Sequence, residues 1–133
     1  MNEFNIYNLE INDLSVKVQT NYEDKENKSI IVNFEGIIFA EKTEELKKYF
    51  ELLHNKILEH NITHIIIDFY NLEMIDRDGF TEIAHWFINA NNVVSDSDKY
   101  KITLLYDRLK KWQKNLFTTL KNLFPDLITL EEM

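Results

Sequence analysis

Residues 63–87 read THIIIDFYNLEMIDRDGFTEIAHWF. Ile65-Ile66-Ile67 is an unbroken β-branched run. Such a run is strand-forming, and without polar alternation it predicts a central parallel strand with helices over both faces. Asp76-Arg77-Asp78-Gly79 then breaks the pattern. Phe80, Ile83-Ala84 and Phe87-Ile88 follow at three- and four-residue spacing, the period of an amphipathic helix. The stretch therefore predicts strand, acidic turn, helix.

The flanks extend this unit. Leu46, Phe50, Leu53 and Ile57 form an earlier helical stripe. Thr43 offers a capping hydroxyl, Glu44 and Glu45 suit the positive helix end, and His60-Asn61 ends the pattern. Leu14, Val16 and Val18 alternate with polar residues, as do Ile30, Val32 and Phe34. These predict two strands joined by a charged turn, EDKENK, at 23–28. Within 1–13, Phe4, Ile6 and Leu9 suggest an extra N-terminal edge strand.

On the other side, residues 89–99 read as a loop and Ile102, Leu104 and Leu105 as a strand. Leu109, Trp112, Leu116, Leu120 and Leu123 make a third helical stripe, closed by Pro125. Leu127, Ile128 and Leu130 give a last short strand. The order β-β-α-β-α-β-α-β requires right-handed parallel crossovers. The expected fold is a small α/β layer with a mostly parallel central sheet of about four to five strands and helices packed against it, one domain over residues 1–133.

Composition narrows the functions. The chain carries 15 Lys and Arg against 23 Asp and Glu, a formal charge of −8. Such a surface repels phosphate backbones, so nucleic acid is not an expected partner. There is no cysteine, which excludes disulfides and thiolate chemistry. No apolar run is long enough for membrane insertion, and the first residues lack a basic-then-apolar signal, so a cytoplasmic location is expected. The glycines are Gly36 and Gly79 alone, too few for a phosphate-binding glycine loop. His54, His60, His64 and His85 show no metal or catalytic spacing. No cofactor is expected.

The segment IIIDFYNLEMIDRDGF, together with NFEGIIFAEKTEELKKYF, resembles the STAS domain, the fold of bacterial anti-sigma factor antagonists and of sulfate-transporter tails. Gly36 sits where that family places a glycine between the second strand and the first helix. The resemblance covers about Leu14 to Leu130. It implies a non-enzymatic signalling module, with a kinase-like anti-sigma factor or a phosphatase as protein partner. The family carries Asp-Ser-Ser-Gly at the helix start, the first serine being the phosphorylated one. Arg77 stands at that position and Asp78 at the second. Arg77 has no hydroxyl, so the usual phosphorylation is not expected, and Asp78 imitates phosphate only weakly. Thr81 is an alternative acceptor. The family usually adds a C-terminal helix after the last strand. A thinly covered sheet face is therefore expected, serving as a homodimer or partner surface or covered by the N-terminal segment.

Two surfaces are nominated for partners. The first is Asp76, Arg77, Asp78, Gly79, Thr81 and Glu82. It reads equally as structure: Asp78 capping the helix, Asp76 holding the turn, and Arg77 in water. The second is Lys110, Lys111, Gln113 and Phe117, within the basic segment 108–114. Trp86 and Phe117 lie off the main stripes, so one of these aromatics is a candidate for exposure. Two alternatives stay open: a structural or oligomerisation domain of a larger signalling complex, and a receiver-like or phosphatase-like Mg²⁺-dependent protein using Asp68, Asp76, Asp78 and Asp107 at the strand ends.

Overall fold

The computed structural model describes residues 4–11, 13–21, 28–39, 41, 43–95 and 98–133. The expected turn at 23–28 lies, apart from Lys28, outside the described residues. The elements are β1 (Leu9–Ile11), β2 (Leu14–Asn21), β3 (Ser29–Ile38), α1 (Thr43–Glu59), β4 (His64–Ile75), α2 (Arg77–Asn91), β5 (Lys101–Tyr106), α3 (Lys111–Leu123) and β6 (Ile128–Glu132). They form one six-stranded sheet in the order β1-β2-β3-β4-β5-β6. The first two pairings are antiparallel and the remaining three parallel. The edge strand expected from Phe4 and Ile6 starts later, at Leu9, where it pairs with Val16.

The strand order explains where the helices go. From β3 to β6 the chain advances by one strand at each crossover, always in the same direction. Three right-handed crossovers with no reversal place every helix on the same face. The aromatic core shows this. Phe34 of β3 stacks on Phe69 of β4 at 4.9 Å. Phe69 stacks on Phe117 of α3 at 4.6 Å, and Phe34 meets Phe50 of α1 at 6.1 Å. Phe50 in turn stacks on Trp86 of α2 at 5.0 Å. One aromatic line thus ties all three helices to the centre of the sheet.

The expectation of helices on both faces is therefore corrected. Ile65 and Ile67 are buried under the helices, whereas Ile66 lies on the opposite face. That face is open. Ser15, Lys17, Gln19, Ile31, Asn33, Ile66, Asp68 and Leu105 line it. The described part of the N-terminal segment, from Phe4 on, does not cover it. Tyr49 Oη of α1 donates to the carbonyl of Tyr7 at 2.9 Å, and Phe4 packs edge-on against His60. The segment lies along α1 on the helical side.

The helix ends follow local chemistry. Asn61 takes φ 55° after α1. Asn61 N–H donates to Leu58 and Ile62 N–H to Ile57, so the last carbonyls of α1 are satisfied by a left-handed cap. Thr43 is the first residue inside α1, and the preceding position lies outside the described residues.

In α3 the buried residues are Gln113, Phe117 and Leu120. The stripe expected through Leu109 and Leu123 is thus rotated, and these two leucines are 81% and 59% exposed. Gln113 and Phe117 are corrected as surface residues, since both are fully buried. Trp86 is also buried, which removes it as an exposed aromatic.

A polar contact crosses the core between α1 and α2. Trp86 Nε1–H donates to Tyr100 Oη at 3.1 Å, and Tyr100 Oη lies 2.7 Å from His54 Nδ1. Burial raises the Tyr100 phenol, so it keeps its proton. Burial lowers His54 below the usual histidine range. It also lowers His64, with the charge of Glu131 opposing in part. As pH falls through about 6.5, these two histidines therefore take up protons later in the folded chain than in the unfolded one. This contribution to stability is complete above that pH and is lost as pH falls towards the folded values. Thermal unfolding followed between pH 7.5 and 5.5 should show a falling midpoint, and His54→Gln with His64→Gln should flatten that fall. An unchanged slope in the double variant refutes the assignment.

Candidate functional site

The acidic turn sits where β4 hands the chain to α2. Asp76 N–H donates to the carbonyl of Ile38 at 3.1 Å, closing the end of the sheet. Asp76 is extended, with φ −89° and ψ 178°, and its Oδ1 accepts from Gly79 N–H at 2.8 Å. Asp76 is thus the N-cap of α2. The expectation that Asp78 caps is corrected. Asp78 is the second helical residue and is exposed, as is Arg77.

Gly79 has a packing role. It is buried, and a Cβ there would overlap Ile38 Cγ2 and press on Ile75. Gly79 therefore lets α2 start directly against the ends of β3 and β4, and it is not part of an outer surface. Thr81 is exposed and its hydroxyl donates to the carbonyl of Arg77 at 3.0 Å. Glu82 is half-buried, and its Oε2 has no hydrogen-bond partner among the described residues. It lines a groove of about 220 Å³ between α1 and α2, with Lys47, Glu51 and His85. Of the first nominated surface, Arg77, Asp78 and Thr81 project from the helix start.

Removing the cap gives a bounded effect. Asp76→Ala should lower stability by about 1 kcal/mol, within a range of roughly 0.5–2. Asp78→Ala, which removes no cap, should cost less than about 0.5 kcal/mol. Chemical denaturation of both variants checks the assignment, and equal losses would contradict it.

The second nominated surface is mainly an internal clamp. β5 pairs with β4 only as far as Asp68 and Leu105. β4 runs on to Ile75 against β3, with a register irregularity opposite Phe69 and Tyr70. Among the described residues, no strand is paired with the outer carbonyls there. Gln113 Nε2 donates to Phe69 at 2.7 Å and to Leu72 at 2.9 Å. Its Oε1 accepts from Asp107 N–H at 2.9 Å. Lys110 Nζ donates to the carbonyl of Tyr70 at 2.8 Å and lies 3.3 Å from Glu73 Oε1. Lys111 remains exposed.

The carboxylates at the strand ends hold their own turns. Asp68 Oδ1 accepts from Tyr70 N–H, and Asp107 Oδ1 from Leu109 N–H, each at 2.9 Å. Among the described residues, no group of three or more His, Asp or Glu is placed to hold a metal ion.

Sequence reading placed Trp112 beside the second nominated surface but missed Ile37, Met74 and Ile75 around this end of the sheet. Ile37, Met74, Ile75 and Trp112, with Glu73, line a groove of about 440 Å³. The available signal was LEMI at 72–75. Its apolar residues continue past the point where β5 stops pairing, which only the register reveals.

Six strands with three helices on one face, and a helix opening at the end of the central strand, define the SpoIIAA-like, or STAS, fold. An anti-sigma factor antagonist from Mycobacterium paratuberculosis has a similar structure, with TM-score 0.52 and 15% identity over 82% of this chain and 84% of that one. An uncharacterised protein of the DUF3478 family with a SpoIIAA-like fold, from Shewanella loihica PV-4, gives TM-score 0.56 and 10% identity over 92% and 88%. No family model and no curated protein matches the chain. At these identities the likeness is one of fold.

Proposed function

We propose that the chain is a non-enzymatic regulatory module of the cytoplasm that acts by docking another protein through the start of α2. The observation that carries this reading is the division of labour at the turn. Asp76 supplies the cap and Gly79 the close packing, so neither role falls to Arg77 or Asp78, and both project from the helix start. Arginine is an effective interface anchor, and an exposed helix start adds unpaired N–H donors. The fold supports the same class, since one structural neighbour is named an anti-sigma factor antagonist. The partner class is a kinase-like anti-sigma factor or a phosphatase. The usual serine position holds Arg77, so docking here is not switched by phosphorylation at that residue.

The test is affinity capture from native extract with wild type beside Arg77→Ala, Asp78→Ala, read by mass spectrometry. A kinase-like ATPase or a phosphatase should be captured by wild type and weakened about thirtyfold in the variant, the scale of one interface hot spot. Identical capture by both proteins overturns the reading. A second reading, a self-associating domain, is favoured by the uncovered sheet face with Ile31, Ile66 and Leu105 half-buried on it. Sedimentation at rising concentration tests it, and a strict monomer removes it.

A further inference from the structure

We propose that the groove beside the tail of β4 seats an amphipathic segment of the partner protein, one with apolar anchors and acidic flanks. The inference rests on the docking reading above and specifies the chemistry of what docks.

The groove exists because the sheet is ragged. Residues 69–75 of β4 have β3 on one side and, among the described residues, no strand on the other. Gln113 and Lys110 satisfy the carbonyls of Phe69, Tyr70 and Leu72. Beyond them, side chains form the wall. Of the five lining residues only Glu73 is polar. Met74 is 45% exposed, and Ile37, Ile75 and Trp112 are half-buried. Leu109 lies in the turn that leads into α3 and is 81% exposed. Scattered exposed apolar residues are ordinary, but a contiguous set around one groove marks a binding surface. Its volume suits large anchoring side chains.

Charge selects the flanks. The whole chain carries −8, yet Arg108, Lys110 and Lys111 immediately precede Trp112, and Arg77 follows Ile75 by two residues. Lys110 neutralises Glu73. Asp76 and Asp107 turn their carboxylates onto the backbone N–H groups of Gly79 and Leu109, so the charges exposed to solvent here are Arg77, Arg108 and Lys111 with Asp78. α3 also opens with Lys110 at its N-cap, no side-chain cap and no acid in its first turn. Cations there oppose the helix dipole, so acidic groups docked beside them relieve a repulsion built into the free protein. Apolar anchors with acidic flanks satisfy both features, the groove giving affinity and the rim giving register.

The experiment uses the full chain labelled with ¹⁵N and a synthetic helical peptide of about 15 residues. Leu and Phe occupy one face of the peptide and Glu the rest, and a control peptide replaces each Glu with Lys. The acidic peptide should shift the amides of Met74, Ile75 and Trp112, and binding should weaken several-fold between about 50 and 300 mM salt. Trp112→Ala should weaken it about thirtyfold. Arg108→Glu with Lys111→Glu should weaken it about tenfold without lowering the melting temperature, which guards against a folding defect in the tryptophan variant. No binding, equal binding of the lysine peptide, or shifts confined to the open sheet face overturns the inference. Groove shifts that grow with protein concentration in the absence of peptide also overturn it, since a second copy then holds the site. A captured partner lost with Arg77→Ala, Asp78→Ala but retained by Trp112→Ala and by the double charge reversal removes the groove and leaves the docking reading standing.

Discussion

Gly36→Ala is expected to lower the melting temperature by roughly 10–20 °C, from a loss of about 3–5 kcal/mol. Gly36 lies inside β3, paired with Leu14, at φ +106°. L-residues rarely adopt that backbone, which alone costs about 1–3 kcal/mol. Space adds a second penalty. A Cβ would overlap the carbonyl oxygen of Asp13. This oxygen accepts from Ile37 N–H at 3.0 Å, tying the β1–β2 turn to β3. Relief requires backbone movement, because no flexible side chain is available to yield. The register irregularity between Gly36 and Ile37 against β4 sits at the same point, so the strain reaches the end of the sheet that carries α2. A thermal midpoint within about 2 °C of wild type refutes this account.

Gln113→Leu is expected to cost about 3–5 kcal/mol, although leucine fills a similar space and Gln113 is fully buried. The reason is polar. The side chain serves Asp107 N–H and the carbonyls of Phe69 and Leu72, and leucine leaves all three without it. Each unsatisfied buried group costs about 1–3 kcal/mol. Lys110 Nζ, 3.4 Å from the Leu72 oxygen, offsets part of that. Gln113→Glu discriminates between packing and hydrogen bonding. It keeps the acceptor for Asp107 but turns an acceptor towards two carbonyls, so it should fall at least as far as the leucine variant. Urea denaturation of both variants gives the comparison. Wild-type stability in either would mean that the β4 carbonyls find other partners.

Much of the architecture was legible. The β-branched run at 65–67, the alternation in β2 and β3, and the stripe of α1 each follow from the spacing of apolar residues. The same spacing misplaced α3. Leu109, Trp112, Leu116, Leu120 and Leu123 fit a helical period, but so do Gln113, Phe117, Leu120 and Phe124. Hydrophobicity favours the first set. The structure uses the second, because unpaired carbonyls on β4 demand an amide inside and Phe69 demands an aromatic partner. Neither demand can be seen without knowing that β5 ends early.

At the candidate site the sequence located the turn between β4 and α2 but assigned its parts differently. Asp76 and Asp78 are both good capping residues in composition. Asp76 caps because the β3–β4 pairing ends at Ile75, which leaves Asp76 extended and Arg77 as the first helical residue. Gly79 was expected in the docking set, but it faces Ile38 across a contact that only the tertiary structure creates.

By itself the sequence determined the element order, the parallel crossovers and the place where the central strand meets a helix. These are local properties, written in periods of two and 3.6 residues and in the connection lengths. The tertiary structure decided the order of strands in the sheet, and with it the single covered face. A strand's apolar run records that both its sides avoid water, not which neighbour covers each side. Ile66 is therefore indistinguishable from Ile65 and Ile67 in the sequence, yet it lies on the open face because three same-handed crossovers never reverse direction.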